Sequence, residues 1–322
     1  MTNLNSLEDL LKYISKNHIS TAKTFQRYAE IGEKLPPLIQ VWGNYILDKS
    51  LTHFPAKRGC GKSLLAMQLC LAIANNHKEF LGEKIGRNGN CLYLDFEMSE
   101  DIISRRASTL KNNTPNYKSK LGDKLIIYST KKGFIEDFGT INNLMKSSKF
   151  VLVVIDNLRN AIKSSNTNNS SEMATFFSIL NGLKECYGLS IIIIDHFRKN
   201  TDGAKSSSDL QSGSGAKSDG VDGDFLLRNS SQNKHWRLLC RIKSRMVEES
   251  NETKLIALNP ETLWFEIVEK NVNESEHLGL SESTDKEELK DRALDLKEKG
   301  HSLDEIAKIL GKGKTTIHRW TK

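Results

Sequence analysis

The sequence predicts an α/β fold in which a mainly parallel central sheet is flanked by helices, followed by a small all-α domain at the C-terminal end. The apolar runs at residues 150–155 and 191–194 are nearly unbroken, which is typical of strands that are covered on both faces. Stretches with helical spacing, such as 99–110 and 171–187, lie between the strand-like runs. They provide the crossover connections that parallel strands require.

The bulk properties of the chain exclude several classes of protein. With 322 residues, 38% of them hydrophobic and 27% charged, the chain accommodates one large and one small globular domain. No run approaches the roughly 18 apolar residues of a membrane span, and the N-terminal residues lack the pattern of a signal peptide. We therefore expect no membrane partner and a cytoplasmic location. The five scattered cysteines indicate neither a disulfide framework nor a zinc site, and the net charge of +7 favours a polyanionic partner.

Changes in pattern divide the chain into four predicted segments. Residues 1–35 form an amphipathic helical segment, which packs either on its own domain or on a neighbouring subunit. Residues 36–269 form the α/β domain, 270–284 a flexible linker and 285–322 the small helical domain. Within the α/β domain, residues 200–222 are predicted to be a loop rich in Gly, Ser and Asp. The predicted strands are residues 51–55, 90–96, 124–128, 150–155, 190–195, 236–242, 254–258 and 263–268.

The segment Ala56–Ser63, with the sequence AKRGCGKS, has the spacing of a phosphate-binding loop between a strand and a helix. Its glycines allow backbone N–H groups to surround phosphate oxygens at the positive end of the helix. Lys62 supplies a charge for the β- and γ-phosphates of ATP, and Ser63 supplies a hydroxyl for Mg²⁺. A chance glycine-rich turn is the alternative. The candidate nucleotide-binding residues are Gly59, Cys60, Gly61, Lys62, Ser63 and Leu64.

Three further strand-like runs end in residues suited to ATP hydrolysis. Asp156 ends an apolar run, as in the Walker B pattern, and is predicted to lie near Mg²⁺. Glu97 is the candidate base that orients the attacking water. Asp95 is the competing choice, since alternation along a strand would point both residues to one side, but Glu97 is nearer the strand end. His196 follows the run 191–194 and is the candidate sensor of the γ-phosphate. The alternative for Asp156 is an ordinary acidic strand end, and the alternative for Glu97 is a carboxylate at the start of a helix. The alternative for His196 is a histidine without a catalytic role.

The segment Arg241–Arg245, with the sequence RIKSR, places Lys243 and Arg245 on one face of a predicted strand. Two cations at the end of a strand can reach a phosphate in an adjacent subunit, as an arginine finger does. The alternative is a solvated basic edge strand.

The order of these motifs resembles that of the RecA-like ATPases, and within them the RepA family of plasmid replicative helicases. The resemblance rests on LYLDFEMSEDIISRR, VLVVIDNL, IIIIDHFRK and RIKSR together with the phosphate loop, and it extends over residues 35–269. It implies a RecA-like core, a ring of six subunits around single-stranded DNA and ATP bound between neighbouring subunits. It also implies that Glu97 is the base, that Asp156 is the Walker B acid, that His196 is the sensor and that Lys243 and Arg245 act in trans. The sequence departs from the family at Ala56, usually glycine, and at Asp195, where paired histidines are frequent.

Residues 285–322 are predicted to form a helix-turn-helix that binds duplex DNA. Ser302 and Glu305 form a capping box, and Gly311 provides a turn between helices with apolar spacing. The segment resembles the helix-turn-helix units of resolvases and transposases, and docking of a protein is the alternative. Phosphate contacts are expected from the basic residues and contacts with base edges from the others. The candidates are Lys312, Lys314, Thr315, Thr316, His318 and Arg319.

Three functions stay open at this point. The first is a DNA-dependent ATPase motor, a replicative helicase of a plasmid, phage or mobile element. The second is an ATP-switched DNA-binding regulator or assembly factor for replication or transposition that does not unwind DNA. The third is a repressor whose nucleotide domain only oligomerises, although Glu97 with Lys243 and Arg245 argues against it because a pure binder needs neither.

Overall fold

The computed structural model describes residues 7–9, 11–12, 23–114, 117, 124–163, 170–197, 206, 220–245, 252–279 and 282–321. These residues form two compact units, the first extending to Val272 and the second beginning at Asn273. Each unit has a hydrophobic core of its own.

A sheet of nine strands forms the centre of the first unit. Six neighbouring strands run parallel, so the prediction of an α/β fold with a mainly parallel sheet is confirmed. In the order in which they lie across the sheet, these strands are β10 (Gly223–Asn229), β3 (Leu51–Ala56), β9 (Ser190–His196), β8 (Phe150–Asp156), β6 (Asn90–Asp95) and β7 (Leu125–Ser129).

Beyond β10 the sheet continues as an antiparallel meander of β11 (Trp236–Ser244), β12 (Thr253–Leu258) and β13 (Phe265–Glu269). No strand was predicted at Gly223–Asn229, yet β10 lies directly beside β3 in the middle of the sheet. Its signal is weak because its fully apolar run is only Phe225–Leu227, and its charged residues Asp224 and Arg228 are buried. Most of the predicted loop at residues 200–222 lies outside the described residues.

Helices cover both faces of the sheet. One face packs against α2 (Lys62–Ala74) and α3 (Glu100–Asn113), and the other packs against α4 (Phe138–Ser147), α5 (Leu158–Ile162) and α6 (Ser170–Tyr187). Helix α2 is apolar on nearly all sides and is almost entirely buried, as expected for a helix that is enclosed by the rest of its domain. No described helix combines the length and apolar character needed to cross a membrane.

Two short hairpins complete the first unit on the α2 face. They consist of β1 (Gln40–Trp42) with β2 (Ile46–Leu47), and β4 (Glu79–Phe80) with β5 (Glu83–Lys84). The indole Nε1 of Trp42 donates a hydrogen bond to the carbonyl oxygen of Phe80 at 2.8 Å, which joins one hairpin to the other.

The predicted N-terminal helical segment is described only in part. Residues 7–9 and 11–12 are helical, and α1 (Phe25–Gly32) begins after Thr24, whose hydroxyl accepts a hydrogen bond from the N–H of Arg27. Leu7 packs against the core on the α6 side of the sheet. Leu10 and Ile14 lie outside the described residues.

The second unit contains three helices around a small apolar core: α8 (Glu282–Glu298), α9 (Leu303–Leu310) and α10 (Lys314–Trp320). The predicted capping box is present, because the Ser302 side chain accepts from the Glu305 N–H and the Glu305 carboxylate accepts from the Ser302 N–H. Gly311 ends α9 with a φ of 60°, a conformation that favours glycine. The buried core residues are Ala293, Ile306, Ile317 and Trp320.

The prediction of a flexible linker at 270–284 is wrong for part of that stretch. A short helix, α7 (Glu274–Leu278), lies within it, and α8 begins at Glu282. The Asn273 side chain caps α7 by accepting a hydrogen bond from the Ser275 N–H, and His277 is buried. The acidic and polar composition that indicated a linker is therefore in part the composition of a capped helix start.

Candidate functional site

The predicted phosphate loop lies between β3 and α2, at the edge of the sheet where the parallel strands end. We call this edge the carboxyl edge. Gly59 and Gly61 adopt φ values of 77° and 98°, which few other residues tolerate. A Cβ atom on Gly61 would lie 2.8 Å from Cζ of Phe265, so the loop also needs a glycine there for packing. Lys62 begins α2, and the first N–H groups of a helix have no partner within the helix. The loop therefore provides both the backbone donors and the helix end that an anion requires.

Groups from β10 and β11 hold the loop in place through Cys60. The Cys60 thiol donates to the carbonyl oxygen of Leu227 at 3.3 Å, and the Cys60 carbonyl oxygen accepts from Nε of Arg237 at 2.9 Å. Cys60 is fully buried, and burial raises its pKa to about 12. Cys60 therefore fits the turn as a small buried residue and is not a thiol open to reagents.

Lys62 and His196 meet at this edge. Nζ of Lys62 lies 3.2 Å from Nδ1 of His196, which ends β9 beside the last residue of β3. Burial lowers the pKa of His196, and the nearby charge of Lys62 lowers it further. Burial also lowers the pKa of Lys62, against the opposing charges of Asp156 and Glu97. The predicted phosphate-binding lysine and the predicted sensor are therefore direct neighbours, and Glu97 and Asp156 are close enough to act on the lysine.

Asp156 ends β8 as a fully buried carboxylate. Its Oδ2 accepts a hydrogen bond from the Tyr93 hydroxyl at 2.6 Å, while its Oδ1 has no hydrogen-bond partner among the described residues. Burial raises the pKa of Asp156 to about 6, although hydrogen bonds from Tyr93 and Ser63 oppose this.

A carboxylate oxygen without a partner, next to the Ser63 hydroxyl, fits the hard oxygen ligands that Mg²⁺ prefers. Mg²⁺ bound there would neutralise phosphate charge. Ser63 and Asp156 are the residues that would hold it. Within the described part of the chain, no group of three or more His, Cys, Asp or Glu residues is placed to bind a metal. A site of two protein ligands completed by substrate phosphates is the usual arrangement for Mg²⁺.

Glu97 lies in the turn after β6 and is exposed at the carboxyl edge. One of its carboxylate oxygens, Oε2, accepts a short hydrogen bond from the Asn157 side-chain amide. Strand alternation does not relate Glu97 to Asp95 as predicted, because β6 ends at Asp95 and does not extend to residue 97. Asp95 has a different role: its Oδ1 accepts from the N–H groups of Glu97 at 2.9 Å and Met98 at 2.7 Å. Asp95 thus shapes the turn that presents Glu97.

Sequence reasoning missed Tyr93, Asn157 and Arg237. The first two touch the predicted carboxylates and the third holds the loop. Asn157 directly follows the Walker B acid, so its position was a usable signal. Tyr93 lies two residues before Asp95 on the same strand, inside an apolar run that gave no sign of a polar role. Arg237 had no signal, since it lies far along the chain from the loop that it contacts.

Lys243 and Arg245 lie away from this site. In the register of the sheet, Ser244 is level with Gly223, which is level with Thr52 near the start of β3. The phosphate loop begins at the other end of β3, at Ala56. Ala56 is four residues, or about 13 Å, further along the strand than Thr52. The two cations are therefore at the opposite edge from the loop of their own chain.

The candidate DNA-binding residues surround α10 of the second unit. Five of them are exposed, and Thr316 is half-buried. Nζ of Lys314 forms an ion pair with Asp304 on α9 at 2.6 Å, a contact that sequence reasoning did not foresee.

Comparison with known protein families gives one match. A family model described as an AAA domain matches residues 20–202, which is more than half of the chain. The matched region includes the phosphate loop, Glu97, Asp156 and His196, and it ends before Lys243. No curated protein matches the chain.

Proposed function

Because more than half of this chain matches the AAA domain model, the chain belongs to that family of P-loop ATPases, and we propose that it is an ATP-hydrolysing, DNA-binding motor of the replicative-helicase type. The observation that carries the proposal is the meeting of Lys62, His196, Asp156 and Glu97 at one edge of the sheet. They come from four different parts of the chain, and together they supply the groups that phosphoryl transfer from ATP needs.

Each group has a distinct proposed role. The backbone N–H groups of the loop and the Lys62 ammonium group hold the β- and γ-phosphates. Ser63 and Asp156 hold Mg²⁺. His196 contacts the γ-phosphate, and its present contact with Lys62 is the one that the phosphate would replace. Burial of Lys62 and Asp156 strengthens these interactions, because charges interact more strongly where water is excluded.

Glu97 is the proposed general base. Its carboxylate is exposed at the site, and the Asn157 amide holds one oxygen, which leaves the other oxygen to orient a water molecule. A base of this kind contributes roughly 10²- to 10⁴-fold to a rate when it is correctly positioned. Asn157 therefore acts as a positioning residue for Glu97.

Lys243 and Arg245 are the proposed trans-acting cations. Their distance from the loop of their own chain is compatible with action on a neighbour, because the sheet register places these two residues at the opposite edge from that loop. This role requires an oligomer with ATP between subunits, and a ring of six around single-stranded DNA is the form that the RecA-like resemblance implies.

The second unit is the proposed site for duplex DNA. Two helices joined by a short turn at Gly311, with exposed basic residues on and before the second helix, fit the helix-turn-helix mode of binding. Lys312, Lys314 and Arg319 would contact phosphates, and Thr315, Thr316 and His318 would face base edges. The same feature favours a second candidate, an ATP-switched DNA-binding regulator that does not unwind DNA.

The ATPase proposal is tested by mixing two inactive variants. Glu97→Gln should retain ATP binding but lose turnover by about 10²-fold or more. Arg245→Ala should bind ATP as a subunit and fail to hydrolyse it in the assembly. Mixed assemblies should regain activity, because an intact base in one subunit meets an intact Arg245 from the next.

The matched control mixes Glu97→Gln with Lys62→Ala. Since both of these changes damage the same side of the shared site, this mixture should regain less activity than the first. Failure of the first mixture to recover, in assemblies shown to contain both variants, would overturn the trans-acting role. Normal turnover by Glu97→Gln would overturn the choice of base.

A further inference from the structure

His53 lies at the centre of a buried group of charges that the proposed mechanism does not use. It is located in the middle of β3, is fully inaccessible to solvent, and contacts a carboxylate on each side. Nε2 lies 3.2 Å from Oδ2 of Asp195 on β9, and Nδ1 lies 3.0 Å from Oδ1 of Asp224 on β10. Asp195 and Asp224 are themselves buried, so the three side chains connect three neighbouring strands through the interior.

Stability alone does not explain such a group. A central strand of a parallel sheet is normally apolar on both faces, and well-packed apolar residues often replace buried ion pairs without loss of stability. The group instead fixes geometry, because an imidazole with a carboxylate on each ring nitrogen has little freedom to turn. Hydrogen bonds to Asp195 and Asp224 also raise the pKa of His53 to about 9 against the effect of burial, so the ring is charged and donates to both.

The position of Asp195 connects this group to the nucleotide site. Asp195 directly precedes His196 at the end of β9, and successive residues of a strand point to opposite faces. His53 therefore anchors the strand end on one face while His196 contacts Lys62 on the other. The charge of Asp195 also acts directly on both Lys62 and His196, raising their pKa values against burial. The strand that carries His53 continues to Ala56, where the phosphate loop begins.

We propose that His53 is a positioning residue for ATP hydrolysis, which holds Asp195 and thereby fixes His196 against Lys62 and the γ-phosphate. This inference rests on the proposed role of His196. His53 does not touch the nucleotide, and its effect is carried through the end of β9. Loss of its contacts should reduce turnover more than ATP binding, since the phosphate loop and Lys62 remain in place.

A double-mutant cycle between His53→Gln and His196→Ala, in the full-length protein, tests this connection. Glutamine keeps a polar side chain that can donate to one carboxylate but cannot hold both. His53→Gln alone should lower kcat about tenfold or more, within the range expected for a displaced group. It should change the dissociation constant for ATP less than twofold. In the His196→Ala background, the same change should lower kcat by less than twofold, because the residue that it positions is gone.

The matched control is Glu83→Gln, which removes the charge that the half-buried Glu83 presents to the buried Lys254 elsewhere in the same unit. It should leave kcat unchanged in both backgrounds. Asp224→Asn is a second route to the same test, because the amide oxygen can still accept from His53 while the charge that holds the ring is lost. Asp224→Asn should show the same non-additive effect with His196→Ala, with a smaller loss of kcat than His53→Gln. Thermal melting and ATP binding establish that each variant is folded.

The outcomes separate the two claims. If His196→Ala leaves kcat unchanged, the proposed sensor role fails. If His196→Ala lowers kcat but His53→Gln and Asp224→Asn each lower it by the same factor in both backgrounds, or not at all, the sensor stands and the positioning role of His53 is overturned. If Glu83→Gln reproduces the non-additive pattern, the effect reflects general destabilisation and the inference is likewise overturned.

Discussion

Replacing His53 with glutamine should remove a dependence of stability on pH that the wild-type protein shows between neutral and alkaline conditions. His53 is fully buried between Asp195 and Asp224, so its protonation differs between the folded and the unfolded chain. A difference in bound protons makes the free energy of unfolding depend on pH.

The direction and size follow from the pKa of His53. Burial lowers this pKa, but hydrogen bonds and charges from Asp195 and Asp224 outweigh it and raise the pKa from 6.5 to about 9 in the folded state. Between these two pH values the folded chain retains a proton that the unfolded chain has lost. Stability therefore falls as the pH rises, by about 1.4 kcal/mol per pH unit. The contribution is fully present below the unfolded pKa and is lost above the folded pKa, a total of about 3 kcal/mol.

Urea unfolding at several pH values, followed by tryptophan fluorescence, measures this contribution. Of the four tryptophans, only Trp320 lies outside the first unit, so the signal reports mainly on the unit that contains His53. The slope of stability against pH should be steeper in the wild type than in His53→Gln across this window. The control is His235→Gln on the turn between β10 and β11, which should keep the wild-type slope. Equal slopes in the wild type and His53→Gln would refute the charged, doubly bonded state of His53.

Three other predictions concern the site and the second unit. Lys62→Ala should abolish tight ATP binding, as measured by titration with a fluorescent ATP analogue, and wild-type affinity would mean that the loop is misassigned. Asn157→Ala should lower kcat about tenfold with little change in ATP affinity, because Glu97 loses the amide that holds it; unchanged turnover would show that Glu97 needs no anchor. Lys312→Ala should reduce the slope of log affinity for duplex DNA against log salt by about 0.9, and Lys314→Ala should reduce it less, because Asp304 already neutralises Lys314. If deletion of residues 273–322 changes neither the affinity for duplex DNA nor its salt slope, the second unit would be assigned to protein docking.

The strongest local signals in the sequence correspond to what the structure contains. The strand-loop-helix context of Ala56–Ser63 and the apolar run that ends at Asp156 are short, continuous patterns, so each is readable without knowledge of the fold. The capping box at Ser302 is equally local and is present in the structure. The parallel sheet was also predictable, because strands covered on both faces leave long apolar runs.

The features that were missed depend on residues far apart in the chain. Asp224 carries no signal of its own, and its role appears only when the fold places it against His53, more than 170 positions earlier. Strand β10 was missed for the same reason, since its charged residues are satisfied by distant partners. The helix α7 was missed because capping residues and acidic first turns have the composition of a linker.

Unwinding of a forked DNA duplex in the presence of ATP and Mg²⁺ tests the central claim most directly. The wild-type protein should separate the strands, and Glu97→Gln should bind the same substrate with ATP but leave it intact. A protein that binds DNA and hydrolyses ATP in response to it, yet leaves the forked duplex paired at every protein concentration, would contradict the motor and favour the ATP-switched regulator.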